Sequence, residues 1–299
     1  MNSENVTIGV MTRYIGSGSY CYANSLAMIV SSAPPAAIEV LTGSPYGAQI
    51  EPSGLPYFDP TGWNPDLGLD AAITLLGWTC DRTEGGSADD ALDRLRAADG
   101  PALVGPVDIG LLTHQPWAPG TAIGGDHWIV VLEVTGTDVV MHDPDGYPYA
   151  TLPIQAFLNA WQAEKLEFSA SYVLRTGFRQ LRDVQPEEAV KQSLPQARQW
   201  LSTDSASAVH RLAEMLAAGV DGDIQRHLAS FAVRSGARRL DDAATWLTAI
   251  GKTDAAMIAR NQSRILGRLQ FPLARGEFAQ AAEILTGLAP GYERMRTAL

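Results

Sequence analysis

Two cysteines in 299 residues are too few for a disulfide framework or a thiolate metal cluster. That scarcity fits a reduced, cytoplasmic protein. Long apolar runs are also missing, the longest reaching roughly half of the ~20 residues a membrane span needs. The opening stretch MNSENVTIGV lacks a basic segment followed by an apolar one, so no secretory signal and no membrane partner are expected. Basic residues are scarce early in the chain. Residues 1–177 hold 6 Lys+Arg against 20 Asp+Glu, net −14, whereas residues 178–299 hold 16 against 13, net +3. The acidic part would repel nucleic acid and attract a cationic small molecule. There is no P-loop, no dinucleotide fingerprint and no G-x-S-x-G elbow, so the sequence implies no nucleotide cofactor and no serine nucleophile. No His/Cys pair has metal-ligand spacing, which leaves no metal site.

What is present falls into two modules. The first ~180 residues are rich in Gly, Pro, Trp and Tyr, with short apolar runs between turn signals. NSLAMIVSS reads as a helix stopped before APP, and PPAAIEVLTG as a second, with Pro near its start and Gly after its end. DLGLDAAITLLGW and SADDALDRLRAAD have helical apolar spacing, and the second is led by Ser and acidic residues suited to an N-terminus. Strand signals follow in PALVGPVDIG, DHWIVVLEV, DVVMHD and FSASYVLRT. From about residue 185 every apolar run has helix spacing, many ending at Gly, and no fixed-period repeat aligns them. The expected fold is therefore α+β over 1–180, followed by an all-α helical domain over 181–299.

The chemistry turns on Cys21. It sits where the Gly/Ser-rich IGSGSY meets the helical run CYANSLAMIV. Backbone N–H groups and the helix dipole at such a junction favour thiolate and can receive an oxyanion. Cysteine is equally a common buried residue, so local sequence alone leaves a plain core role open. Cys80, in GWTCDRT, has no helix start after it and is the weaker nucleophile. Among the histidines, His210 and His227 lie in the helical half, and His114 could line a pocket. His127 opens DHWIVVLEV and His142 precedes Asp143. With Thr135-Gly136-Thr137 as a three-residue hairpin loop, His127 lies opposite Asp145 and Asp143 opposite Ile129. His127 and Asp143 then share a face as diagonal neighbours, and His142 faces the other way. A carboxylate beside an imidazole fixes its tautomer and stabilises the imidazolium. A different loop length would change this parity.

The ordered set of Cys at a helix start, the His strand and HDPDGYP resembles the papain-like fold, in which an N-terminal helix packs on an antiparallel sheet. It is similar to the double-glycine leader peptidases and, more closely, to the family of butirosin-biosynthesis protein H. The second similarity rests on CYANSLAMIV, GLDAAITLLGW, PALVGPVDIGLLTHQPW and HDPDGYPYATLPIQAFLNAW, over about residues 10–180. The resemblance implies a cysteine acyltransferase of natural-product (antibiotic) biosynthesis. It would take an acyl group from an acyl-carrier protein or small thioester and pass it to an amine-bearing, cationic acceptor. Cys21 would be the nucleophile, His127 the base, Asp143 the orienter, and Asp108 a residue holding the acceptor. The Gln that completes a papain-like oxyanion hole is absent before Cys21, leaving Tyr14, Ser19 or Asn24 as substitutes. The same triad would serve a peptidase or amidohydrolase, and the missing Gln also admits an inactive binding protein of this fold. The helical half would dock an acidic carrier through arginines such as Arg260, Arg264 and Arg268, or form a homodimer interface.

Overall fold

A computed structural model describes residues 19–201 and 204–299. Tyr14 lies outside them. The elements in chain order are α1 (Cys21–Ile29), α2 (Pro35–Leu41), β1 (Gln49–Ile50), β2 (Pro56–Tyr57), α3 (Pro65–Leu75), β3 (Trp78–Thr83), α4 (Ala88–Arg96), β4 (Ala102–Asp108), β5 (Asp126–Val134), β6 (Asp138–Asp143), β7 (Tyr147–Pro153), α5 (Ile154–Gln162) and β8 (Leu174–Gln180). Then come α6 (Pro186–Trp200), α7 (Ser205–Ala218), α8 (Gly222–His227), α9 (Val233–Ala249), α10 (Thr253–Arg275), α11 (Phe278–Thr286) and α12 (Ala289–Ala298). No helix among the described residues is long and apolar enough to cross a membrane.

The chain divides into two compact units, and neither is one uninterrupted segment. The first takes residues up to Ser31 plus Trp78–Leu181, and the second takes Ser32–Gly77 plus Arg182–Leu299. Residues 32–77, assigned from sequence to the first module, therefore belong to the helical unit.

The first unit is mixed α and β. Six strands form an antiparallel sheet in the order β3-β8-β4-β5-β6-β7. α1 packs on β5, where Ser25 Oγ donates to the Trp128 carbonyl at 3.0 Å. Tyr22, Ala23 and Leu26 are buried, and Tyr22 meets the Trp128 ring edge-on. α4 starts as the sequence predicts, since Ser87 and Asp90 form a capping box. The core gathers Leu95, Val104, Ile129, Met141, Phe157 and Trp161 from α4, α5 and the sheet. β4 carries a bulge between Val104 and Val107, over Gly105 and Pro106. There the backbone lies so close to Trp128 that a Cβ on Gly105 would sit 2.5 Å from the indole.

The second unit is helical apart from the two-residue ladder β1-β2. Its α9 and α10 pair closely, with α11 and α12 against α10. Buried charge ties residues 32–77 into it. Arg239 on α9 reaches Glu39 of α2 at 2.8 Å and Asp59 at 2.9 Å, all three almost fully enclosed. Gln49 donates to Asp59, Ser44 donates to Glu39, and the Trp63 ring lies under the guanidinium at 5.5 Å. Removing one member of such a cluster would strand the others without solvent, so this set is a strong determinant of which segments pack together.

Candidate active site

Cys21 is the first residue of α1, after Tyr20 and a Ser19 held at φ +78°. Its thiol hydrogen-bonds to the His127 ring and receives the Trp128 backbone N–H. His127 Nε2 lies 2.8 Å from Asp143 Oδ1, which leaves Nδ1 for the thiol. The structure thus joins the three residues that the sequence reading nominated, through α1, β5 and the end of β6. His127 is 2% exposed and Asp143 fully enclosed, so charge on either is stabilised chiefly by the other.

The hairpin that unites them differs from the expected one. Next to the turn the pairs are Val134 with Val139 and Glu133 with Val140, one residue out from the register a simple three-residue loop would give. A bulge between Val131 and Glu133 takes up that residue, and Val131 then pairs with Met141 and Val130 with His142. The bulge restores the parity that puts His127 and Asp143 on one face. His142 points the other way, where its Nδ1 accepts from the Tyr149 N–H at 3.1 Å.

Electrostatics follow from this packing. Burial is the largest influence on the Cys21 thiol and pushes its pKa up, while the His127 bond and charge pull it back down. Burial alone would lower the His127 pKa, but the Asp143 carboxylate and the Cys21 contact outweigh it and hold the imidazole well above its ordinary value. For Asp143, burial opposes ionisation, yet His127, His114 and the Asp145 N–H together keep the carboxyl far below the usual carboxylate range. The carboxylate therefore stays ionised beside the imidazole that faces the thiol.

Asp108 is not free to hold an acceptor. It is 1% exposed, and its carboxylate accepts backbone N–H groups from Gly110 (3.0 Å), Ile123 (3.1 Å) and Gly124 (2.8 Å). Its role is to close the loop 109–125 at both ends. Asn24 lies 1% exposed one turn after Cys21, and Ser19 is partly exposed just before it. Cys80 sits on the sheet-edge strand β3, away from any helix start. Tyr22, Trp63 and Trp128 are core residues, and Trp117 is 53% exposed on the 109–125 loop.

The sequence reading missed Gln115 and gave His114 only a place in a pocket wall. Both close on Asp143: His114 Nε2 lies 2.7 Å from Oδ2, and Gln115 Nε2 donates to the same oxygen at 2.6 Å. The signal was the adjacent His-Gln pair in GLLTHQPW, inside a loop bounded by Asp108 and Gly124-Gly125.

The carboxy-terminal part of the chain, residues 201–299, matches the family model of the YobF C-terminal domain. The chain is also similar to the uncharacterized protein YobF of Bacillus subtilis (strain 168), at 34% identity over 165 residues, 53% of each chain. It spans about half the length of that curated relative.

Proposed function

We propose that the protein is a cysteine-dependent acyltransferase on a papain-like fold, moving an acyl group from a thioester to an amine through an acyl-Cys21 intermediate. The observation that supports this is the continuous line of thiol, imidazole and carboxylate, closed at 2.8 Å between His127 and Asp143. Cys21 passes its proton to His127, and Sγ attacks the thioester carbonyl. The bond to the donor sulfur breaks, and that sulfur departs with the proton from His127. An amine then attacks the acyl group, the bond to Sγ breaks, and the amine proton returns through His127 to the Cys21 thiolate. The helix start and the Trp128 N–H favour negative charge at the sulfur.

An acidic first part of the chain, net −14 over residues 1–177, suits a cationic amine acceptor. The donor fits a thioester on an acidic carrier protein, because α10 presents Arg260, Arg264 and Arg268 exposed on one face. We place the reaction in natural-product biosynthesis on the sequence resemblance alone. The test is intact-protein mass spectrometry after incubation with a panel of acyl thioesters. A mass increase lost in Cys21→Ala and discharged faster by amines than by water is expected. Discharge by water alone would make the protein a hydrolase, and no adduct would end the proposal.

A further inference from the structure

Asp143 carries more than an orienting carboxylate needs. Oδ1 accepts from His127 (2.8 Å) and from the Asp145 N–H (2.9 Å), and Oδ2 accepts from His114 (2.7 Å) and Gln115 (2.6 Å). Gln115 is 1% exposed and the His114 side chain 7%. Their other polar atoms, Gln115 Oε1 and His114 Nδ1, are enclosed and have no hydrogen-bond partner among the described residues. Burying an amide and an imidazole with polar atoms left unsatisfied is unfavourable. The gain that offsets this is the charge-assisted bond each makes to Asp143. Asp108 supports the arrangement from below, since its three backbone bonds fix the loop that bears both residues.

We infer that His114 and Gln115 are positioning residues that draw Asp143 charge away from His127, so that His127 can both release and accept the proton during acyl transfer. The inference rests on the acyl-transfer reading above and adds a device to it. With Oδ2 fully engaged, less of the carboxylate's charge is left to grip the His127 proton. Without these donors the carboxylate would hold the His127 proton to still higher pH, and a protonated His127 cannot take the proton from the incoming amine. The first half-reaction, which uses imidazolium as acid, would survive, while discharge of acyl-Cys21 would stall at neutral pH. The ionisable groups around this proton are Asp143 and Cys21, which act on His127 itself, Asp126 on β5, which acts on Cys21, and His114, which acts on Asp143, with Tyr147 of β7 edge-on to His114.

The experiment is an NMR titration of the histidine ring nitrogens in the full chain, in wild type, His114→Leu, His114→Gln and Gln115→Met. Removing the His114 donor should raise the pH at which His127 titrates by about one unit, roughly a tenfold tighter hold on the proton. His114→Gln, which restores an N–H toward Oδ2, should bring it most of the way back, and Gln115→Met should shift it in the same direction as His114→Leu. In wild type, His114 should carry its proton on Nε2 with Nδ1 bare. An unchanged or lowered His127 titration in both His114→Leu and Gln115→Met overturns the inference, as does a His114 protonated on Nδ1 alone. If His114→Leu does not fold, Gln115→Met and the wild-type tautomer decide the matter. Failure of the underlying reading looks different: there, His127→Ala leaves the iodoacetamide reactivity of Cys21 unchanged.

Discussion

Each unit of this protein buries one dense charged cluster, and the two are built from different cations. In the helical unit Arg239 binds Glu39 and Asp59. In the sheet unit the cation is His127, which binds Asp143, with His114 and Gln115 as further donors to that carboxylate. Guanidinium keeps its proton at any biological pH and grips carboxylates in fixed directions. Imidazole can lose its proton within that range. Both clusters hold segments together that are distant in sequence, but only the second can move charge. A buried ion cluster is thus a structural clamp or a chemical device according to whether its cation can titrate.

The largest expected effect comes from removing the titrating members. Cys21→Ala and His127→Ala should each reduce acyl transfer by about three orders of magnitude or more, measured as thiol release from a small thioester. Circular dichroism should show the fold retained, because Asp143 keeps His114, Gln115 and the Asp145 N–H as donors. If His142→Ala inactivates and His127→Ala does not, the proton path described here is wrong.

Next in size is Arg239→Met. It strands two buried carboxylates, and the expected cost is about 3–5 kcal/mol in urea unfolding. Neutralising the partners as well, with Glu39→Gln and Asp59→Asn, should recover much of that loss. A triple variant no better than the single one would show that the arginine's packing over Trp63 matters more than its charge.

A pH series sharpens the contrast. The Asp143 pKa is depressed in the folded protein, so its contribution to stability is complete above the ordinary carboxylate range and is lost as pH falls below it. The His127 pKa is raised, so its contribution is present below ~6.5 and is lost as pH rises through the elevated value. The melting-temperature gap between wild type and Asp143→Asn should therefore be widest between these limits and shrink at both ends. In the same series His127→Ala should move iodoacetamide labelling of Cys21 to higher pH, because only the Trp128 N–H then works against burial. A gap that stays flat from pH 3 to 9 would contradict the assigned ionisation.

The smallest effect is expected from Arg260, Arg264 and Arg268 changed together to Glu. Arg260 already pairs with Asp241 at 3.3 Å, and exposed charges are screened. Carrier-borne donor use should fall several-fold at low salt and less at high salt, with labelling by a free thioester unchanged. Equal carrier use at low salt would remove α10 as the docking face.

How far the sequence could be read follows the range of each signal. Local signals were legible: the Cys21 helix start, the Ser87 cap and the alternation along β5. The pairing of His127 with Asp143 was reached from a three-residue loop, whereas the chain arrives there through a misfitted turn and a compensating bulge before Glu133. Two errors had no local signature that corrected them. Residues 32–77 join the helical unit through Arg239, 180 to 200 positions away from its partners. Asp108 looks like a ligand-binding carboxylate until the loop it closes is seen in space. β7 escaped notice because YPYATLP opens on turn-like residues and ends in proline.

That closed loop has a consequence for how the protein can vary. Gly110 and Gly120 are bonded to each other, Ile109 to Gly125, and Asp108 holds both feet, so the span between is a self-contained Ω-shaped excursion. Its tip, the largely exposed residues 116–121 that follow His114 and Gln115, with Trp117 half exposed, can change side chains while those two stay on Asp143. Drift of the tip in evolution, or grafting of new residues onto it in the laboratory, would change the surface this loop presents without disturbing the bonds that Asp143 accepts.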